Sequence, residues 1–131
     1  GELQEGQIWE AAIFAAAKKV DNLIVTVDWN NAQIDGSTQQ VCDLGDLHAK
    51  FKAFGWEVLE MKGNVMEDVV FTVTQAQLKA KQGKPIVILM HTEMGFGVDF
   101  MMGTHKWHGS APNDAQLESA LSQLEETLGD Y

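Results

Sequence analysis

Groups that could hold a phosphate and a metal ion follow each other within the first 36 residues of the chain. The glycine-led opening runs into a helical pattern, so Gly1 offers free N–H groups and a positive helix-dipole end to an anion. Asp28, Asn30, Asn31 and Asp35 offer oxygen atoms, which hard cations prefer. In a parallel α/β unit the two loops lie side by side, so Gly1 and Asn30 are expected to be neighbours. This combination suits a metal-bridged diphosphate, but Asn-Asn and Asp-Gly are also ordinary turn sequences.

Two carboxylates, Glu5 and Glu10, accompany an apolar helical segment from Ile8 to Ala17. Apolar residues cover nearly every face of this helix, so we expect it to be packed on several sides. The two glutamates either share a small exposed strip or lie buried at a subunit contact. In the second case they must be paired or protonated to offset the cost of desolvation.

A glycine-rich loop from Met94 to Gly109 carries two histidines among several methionine and aromatic side chains. Because this much apolar surface must be buried, we expect the loop to cover a ligand or a partner chain rather than to be a poorly ordered connection. His105 and His108 form only a weak metal pair, since no third zinc ligand stands at the usual spacing. A loop histidine more often lies on the surface, or hydrogen-bonds a substrate or a proton in transfer.

Strands and helices alternate along the chain, and this order predicts an α/β fold with a mostly parallel sheet. Two continuous apolar runs, Leu23–Val27 and Pro85–Met90, are typical of central strands covered on both faces. The partly acidic run Trp56–Met61 is expected nearer a sheet edge.

Helices are predicted between these strands and after the loop. One covers Leu47–Phe54 and ends at Gly55, and another covers Met66–Leu78. Asn64, with Glu67 three residues later, predicts an N-terminal cap for the second of these helices. A last helix begins at Asn113 and Asp114 and places four leucines on one face, namely Leu117, Leu121, Leu124 and Leu128.

The composition limits the class of partner and the compartment. With 131 residues and a net charge of −10, the chain is one domain without a surface for nucleic acid or an anionic membrane. The single Cys42 cannot form an internal disulfide, which favours a reducing, cytoplasmic setting. The chain opens at a glycine rather than at an initiator methionine, so we expect a piece of a longer protein.

A series of motifs in this order resembles the thiamine-diphosphate domain of transketolases over practically the whole chain. The motifs are Gly1-Glu2-Leu3-Gln4-Glu5-Gly6, Asp28-Trp29-Asn30, Gln33-Ile34-Asp35-Gly36, Gly83-Lys84-Pro85 and His108-Gly109-Ser110-Ala111-Pro112. The resemblance implies a three-layer α/β/α fold in which residues 1–131 form one partial domain, the carboxyl-terminal part of the diphosphate-binding domain. Of the family's Gly-Asp-Gly triplet only the last glycine, Gly1, is present here.

The resemblance also implies roles for individual residues. Gly1, Glu2, Asn30 and Met94 would contact thiamine diphosphate, and Asn30 with the backbone carbonyl of Ala32 would ligate Mg²⁺ or Ca²⁺. Three catalytic roles are implied: His108 beside the substrate's reacting oxygens, and Glu5 and Glu10 in an acidic network between the two cofactor sites of a dimer, where a shared proton is plausible.

The activity implied is the transfer of a two-carbon ketol unit from a ketose phosphate to an aldose phosphate. A separate carboxyl-terminal subunit would supply the pyrimidine-binding domain, in a homodimer or a heterotetramer, and the isolated chain would be inactive. Three alternatives are another thiamine-diphosphate enzyme (a deoxyxylulose-phosphate synthase or a 2-oxo acid dehydrogenase component), a non-catalytic assembly piece, and a nucleotide-binding α/β domain. The last lacks both a Rossmann glycine fingerprint and a P-loop lysine motif.

Overall fold

The computed structural model describes residues 1–125 and has the predicted α/β architecture. A three-stranded parallel sheet contains β1 (Ile24–Trp29), β4 (Glu57–Lys62) and β5 (Ile86–His91), in the spatial order β1-β5-β4. A short antiparallel pair, β2 (Ala32–Gln33) and β3 (Gly36–Ser37), follows β1. The helices are α1 (Gly6–Ala17), α2 (Thr38–Cys42), α3 (Leu47–Ala53), α4 (Met66–Lys79) and α5 (Asp114–Gln123), and a 3₁₀ turn (Glu2–Gln4) precedes α1.

Strand β5 is the centre of the fold, as its continuous apolar run predicts. Alternate side chains point to opposite faces of a strand, so β5 supplies both layers of the core. Val87 and Leu89 pack with Ala12 of α1 and Phe51 of α3. On the other face, Ile86 and Ile88 pack with residues of α4, among them Ala76, which is fully buried. The result is the three-layer α/β/α arrangement, with α1 and α3 on one side of the sheet and α4 on the other.

Two predictions about burial are wrong for the described part of the chain. Strand β1 pairs only with β5 within residues 1–125 and therefore lies at an edge of the sheet, not at its centre, whereas β4 is an edge strand as predicted. Helix α1 buries only Ala12 and Ala15, while Ile13 and Phe14 are 54% and 60% exposed. In both cases a run of apolar residues indicates a surface that is suited to burial. It does not indicate which strand, helix or other chain covers that surface.

The helix ends follow the sequence signals at two of three positions. Gly55 follows α3 with a φ of +93°, and Asn113 forms a capping box with Gln116 in which both hydrogen bonds measure 2.9 Å. The Asn64 cap is wrong, because α4 begins after Val65 without a side-chain cap. Oδ1 of Asn64 accepts a hydrogen bond from the backbone N–H of Glu93 instead, at 2.7 Å.

Helix α5 carries the predicted apolar face, but that face is largely exposed. Leu117, Leu121 and Leu124 are all exposed, and Leu128 lies outside the described residues. The hairpin formed by β2 and β3 was not predicted, because Asn31, Asp35 and Gly36 are also typical of a plain loop. The short helix α2 was not predicted either. Within residues 1–125 no helix has the length and apolar character that a bilayer crossing requires.

Candidate functional site

The register of the parallel sheet brings three strand ends to one edge. Trp29 of β1 and Lys62 of β4 both pair with His91 of β5, so the segments that follow the three strands emerge together. In open parallel sheets this edge is where ligands bind. The residues that follow β1 and β5, from Asn30 and from Thr92 onwards, therefore form the wall of the candidate site.

A cavity of about 410 Å³ joins this edge to the start of the chain. Gly1, Glu2, Asn30, Ala32 and His108 all line it. The predicted proximity of Gly1 and Asn30 is therefore confirmed, since both face the same space. Apolar residues of α1, β1 and α3 also line it, among them Ile8, Val27 and Phe51.

Asn30 and Ala32 are held together by a local turn. Oδ1 of Asn30 accepts a hydrogen bond from the backbone N–H of Ala32 at 2.9 Å. Asn31, between them, has a φ of +60°, and its carbonyl accepts a hydrogen bond from the N–H of Thr38 at 3.0 Å. An amide oxygen has two lone pairs, so Asn30 Oδ1 keeps one free for a cation.

Asp28, one of the oxygen-bearing side chains of the sequence, has a protein partner. The hydroxyl of Thr92 donates a hydrogen bond to Oδ1 of Asp28, which links the ends of β1 and β5. Thr92 was not predicted to contribute to the site, and only the register of the two strands reveals its role. Asp28 thus stabilises the wall of the site through Oδ1, and it also lines the first cavity.

A second cavity, of about 510 Å³, lies against the same turn and contains the other predicted cofactor contact. Met94 lines it together with Asn30, Ala32, Glu93 and His105. Oε1 of Glu93 accepts a hydrogen bond from the backbone N–H of Gly103 at 2.8 Å, which closes the loop after β5 around this space.

The loop from Met94 to Gly109 has defined internal contacts. Val98 is buried, and Nε1 of Trp107 donates a hydrogen bond to the carbonyl of Phe100 at 2.9 Å. The rings of Phe100 and Trp107 meet edge to face at 5.4 Å between centroids. These contacts favour a loop with a defined conformation over a poorly ordered connection.

His105 and His108 do not form a metal pair. The N–H of His108 donates to the carbonyl of His105 at 3.1 Å, and this turn directs the two histidines to different cavities. No set of three His, Cys, Asp or Glu side chains in the described part of the chain is arranged to hold a metal ion. Any cation here would need oxygen ligands of the Asn30 type, completed by other groups.

Glu5 and Glu10 lie apart from both cavities. Both are exposed on the described chain, and a carboxylate oxygen of Glu5 accepts a hydrogen bond from Nε2 of Gln7. The first interpretation of these residues, a small exposed strip, therefore describes the single chain. Their role in a network between subunits stays a prediction.

A cluster of side chains that the sequence did not reveal supports the wall beneath Asn30. The ring of His91 stacks on Trp29 with 4.8 Å between centroids, and Trp29 lines the first cavity. Oxygens of Glu60 lie 2.8 Å from Nε2 of His91 and 2.7 Å from Nδ1 of His48. The hydrogen bonds from His91 and then His48 hold the pKa of the Glu60 carboxyl below its ordinary value.

Comparison with known proteins identifies the family to which this fold and site correspond. The sequence profile described as "Transketolase, thiamine diphosphate binding domain" matches residues 1–128. The chain belongs to the transketolase family.

Two related transketolase subunits cover nearly all of the chain. This chain is 40% identical over 128 residues to a subunit of the apulose-4-phosphate transketolase of Phocaeicola vulgatus, in a match that covers 98% of this chain and 45% of that protein. It is 42% identical over 125 residues to the 6-deoxy-6-sulfo-D-fructose transketolase subunit SqwG of a Clostridium species, in a match that covers 95% of this chain and 45% of that protein. The chain thus spans less than half the length of these curated relatives.

The fold agrees with a solved transketolase as well. The crystal structure of transketolase from Campylobacter jejuni matches with a TM-score of 0.85 at 32% identity, over 94% of this chain and 19% of that one. The α/β architecture described above is therefore the transketolase fold, and the two cavities lie in the part of it that belongs to the thiamine diphosphate binding domain.

Proposed function

We propose that this chain forms the diphosphate- and metal-binding part of a transketolase, which transfers a two-carbon ketol unit from a ketose phosphate to an aldose phosphate. The observation that carries the proposal is that Gly1, Asn30, Ala32 and His108 converge on one cavity of about 410 Å³. These residues come from three separate segments, and their meeting supports a shared ligand more strongly than any one motif does.

The donor set of the cavity fits a hard cation bound together with a diphosphate. Asn30 Oδ1 and the carbonyl of Ala32 would be the protein oxygens on Mg²⁺ or Ca²⁺, with further ligands from phosphate oxygens and water. Gly1 and Glu2 would offer backbone N–H groups to the diphosphate, and Met94 would provide an apolar contact from the second cavity. The chain has a net charge of −10, so a metal ion rather than a basic patch would offset the phosphate charge.

His108 is the residue that we assign to proton transfer. When bound, thiamine diphosphate supplies the nucleophilic carbon and the electron sink that cleavage beside a carbonyl requires. The hydroxyl and carbonyl oxygens of the sugar gain and lose protons during that cleavage, and an exposed imidazole at the cavity can donate and accept them.

The complete enzyme needs a second polypeptide in this proposal. Two of the relatives are named as subunits, and this supports a partner that carries the pyrimidine-binding domain. Glu5 and Glu10 would then connect two cofactor sites across a homodimer or a heterotetramer. The exposed side chains of Ile13 and Phe14 on the same helix are compatible with burial by another chain. The lone, exposed Cys42 suits a reducing compartment, and we place the enzyme in the cytoplasm.

A coupled assay with the partner subunit tests the proposal. This chain, in its native polypeptide, is co-purified with the partner and supplied with thiamine diphosphate and Mg²⁺. Donors are a ketose phosphate panel that includes apulose 4-phosphate, together with 6-deoxy-6-sulfofructose, and acceptors are short aldose phosphates. We expect release of an aldose shortened by two carbons and formation of a ketose lengthened by two carbons. Neither polypeptide should give turnover when it is assayed alone.

Two results would contradict the proposal. Cofactor-dependent decarboxylation of a 2-oxo acid without ketol transfer would place the chain with another class of thiamine-diphosphate enzyme. Failure of the assembled complex to bind thiamine diphosphate in the presence of Mg²⁺ would favour a non-catalytic assembly piece.

A further inference from the structure

Two glutamine side chains, Gln4 and Gln33, meet at the boundary between the two halves of the candidate site. Nε2 of Gln33 donates a hydrogen bond to Oε1 of Gln4 at 3.0 Å, although the two residues are 29 positions apart. Both side chains are half-buried, so this contact is partly shielded from competing water.

The amide group of Gln4 also makes a second contact across the same boundary. Its Nε2 donates a hydrogen bond to the backbone carbonyl of Cys42 at the end of α2. In residues 1–125 these two hydrogen bonds are the ones that join the opening segment Gly1–Glu5 to the segment from Asn30 to Cys42. The hydrogen-bonded link between the two segments therefore depends on a single side chain, Gln4, and on its partner Gln33.

The pair lies directly against the residues that would hold the cofactor. A Cβ atom built on Gly1 would lie 3.6 Å from Oε1 of Gln33 and 3.8 Å from Oε1 of Gln4, which is ordinary van der Waals contact. Gln33 also follows Ala32 directly in β2, so any shift of its side chain acts on the turn that presents Asn30 and Ala32.

Neutral amides suit this place for an electrostatic reason. A carboxylate at either position would repel a diphosphate bound beside Gly1, and an apolar side chain would leave the two segments free to slide. The amide supplies both a donor and an acceptor without adding charge, so it can fix a distance between two segments next to an anion.

We propose that Gln4 and Gln33 are positioning residues. They set the separation between Gly1, which would bind the diphosphate, and the turn of Asn30 and Ala32, which would bind the metal ion. The inference rests on the proposed function, because it concerns how the same cavity binds thiamine diphosphate and Mg²⁺. Neither glutamine needs to contact the reacting sugar.

A double-mutant cycle in the complex with the partner subunit tests this role. Gln4→Met and Gln33→Met keep the side-chain volume. Gln33→Met removes the hydrogen bond between the two glutamines, and Gln4→Met removes this bond together with the one to Cys42. The dissociation constant of thiamine diphosphate at saturating Mg²⁺ is measured by isothermal titration calorimetry for the parent, both single variants and the double variant. We expect Gln33→Met to raise the dissociation constant about five-fold, within the range that one net hydrogen bond supplies, and Gln4→Met to raise it at least as much. The double variant should resemble Gln4→Met, because that substitution already breaks the contact shared with Gln33.

Two controls separate positioning from a general loss of stability. Gln39→Met changes an exposed glutamine of α2 and should bind the cofactor as the parent does. The melting temperature of each cofactor-free complex should stay at the parental value, since a merely structural defect would lower it together with affinity. If Gln4→Met does not assemble, Gln33→Met against Gln39→Met decides the question by affinity and melting temperature.

The outcomes distinguish this inference from the proposed function. Parental affinity in Gln33→Met, or strictly multiplicative effects of the two substitutions, would overturn the positioning role alone. A parent complex that binds no thiamine diphosphate would overturn the proposed function, and this inference with it.

Discussion

Nε2 of His91 lies 2.8 Å from Oε2 of Glu60, where two neighbouring parallel strands end. The other carboxylate oxygen of Glu60 lies 2.7 Å from Nδ1 of His48, so one side chain connects α3, β4 and β5. Since His91 stacks on Trp29, this connection reaches the wall of the first cavity. The edge of the sheet that forms the site is thus braced by a carboxylate between two imidazoles.

The Glu60 carboxylate should make the stability of the fold sensitive to acid. The hydrogen bonds from His91 and His48 lower its pKa from the ordinary value of 4.5. A carboxyl group whose pKa is lowered by folding stabilises the folded state at pH values above its ordinary pKa. This contribution is lost as the pH falls through the lowered pKa. We expect Glu60→Gln to lower the melting temperature at neutral pH and to flatten its fall below about pH 4.5. The side chain is 42% exposed, so the effect should stay within about 1 kcal/mol.

Thermal melts of the parent, Glu60→Gln and Glu118→Gln between neutral and acidic pH provide the measurement. Glu118 is an exposed residue of α5 and controls for the loss of one negative charge. An unchanged pH profile in Glu60→Gln would show that the carboxylate does not brace the sheet edge.

Asn30 should be required for cofactor binding that depends on the metal. In the complete complex, Asn30→Ala removes the side-chain oxygen proposed to ligate Mg²⁺ and also the hydrogen bond to the N–H of Ala32. We expect the affinity for thiamine diphosphate to fall roughly 10- to 100-fold, as it does when contacts around protein-bound metals are lost. Titration of thiamine diphosphate at several Mg²⁺ concentrations measures this loss. Asn30→Asp, which keeps an oxygen, should retain more affinity, and Asn22→Ala, at an exposed position, should have none of the effect.

His108 should affect turnover more than cofactor binding. His108→Ala removes the imidazole that we assign to proton transfer at the first cavity, and such groups contribute roughly 10²- to 10⁴-fold to a rate. We expect kcat to fall within that range while the dissociation constant of thiamine diphosphate changes little. His105→Ala is the matched comparison, because His105 lies in the same turn but lines the other cavity. Equal rate losses in both variants would remove His108 from its proposed role.

The sequence was sufficient for the order of the three parallel strands and of the longer helices, and for part of the lining of the candidate site. Continuous apolar runs located β5 and β1, and the glycine and asparagine motifs located Gly1 and Asn30, because such patterns are local. The position of β1 at an edge depends on the order of the strands, and the contacts of Thr92 with Asp28 and of Glu60 with His91 depend on which strands pair and in which register. Strand order and pairing are properties of distant segments, and the pattern within one segment does not show which other segment lies beside it. For the same reason the cap assigned to Asn64 was wrong, since Glu93, 29 residues away, competes for its side chain.

The contact between Gln4 and Gln33 is a further example, within the site, of a pairing that the sequence alone does not predict. Each glutamine taken alone is an ordinary polar residue of a turn or a short strand, and neither type suggests a role in binding. Their hydrogen bond exists only because α1 and β1 return the chain to its starting edge. Functional residues that act by fixing distances are therefore harder to find from sequence than residues that carry chemistry.

Gly95 should be needed for the shape of the loop that closes the second cavity. Its φ is +71°, and a Cβ atom there would lie only 2.5 Å from Cβ of Met101. Gly103 in the same loop has a similar φ of +68°, but a Cβ atom there would meet nothing within 4 Å. Gly103→Ala therefore reports the backbone strain alone, about 1 kcal/mol, whereas Gly95→Ala adds overpacking and should cost roughly 2 kcal/mol or more. Thermal melts of the two variants measure this difference, and proteolysis in the loop should be faster in Gly95→Ala. Equal losses of stability would mean that Met101 moves aside without cost, and that the close approach of the two backbone segments does not hold the loop.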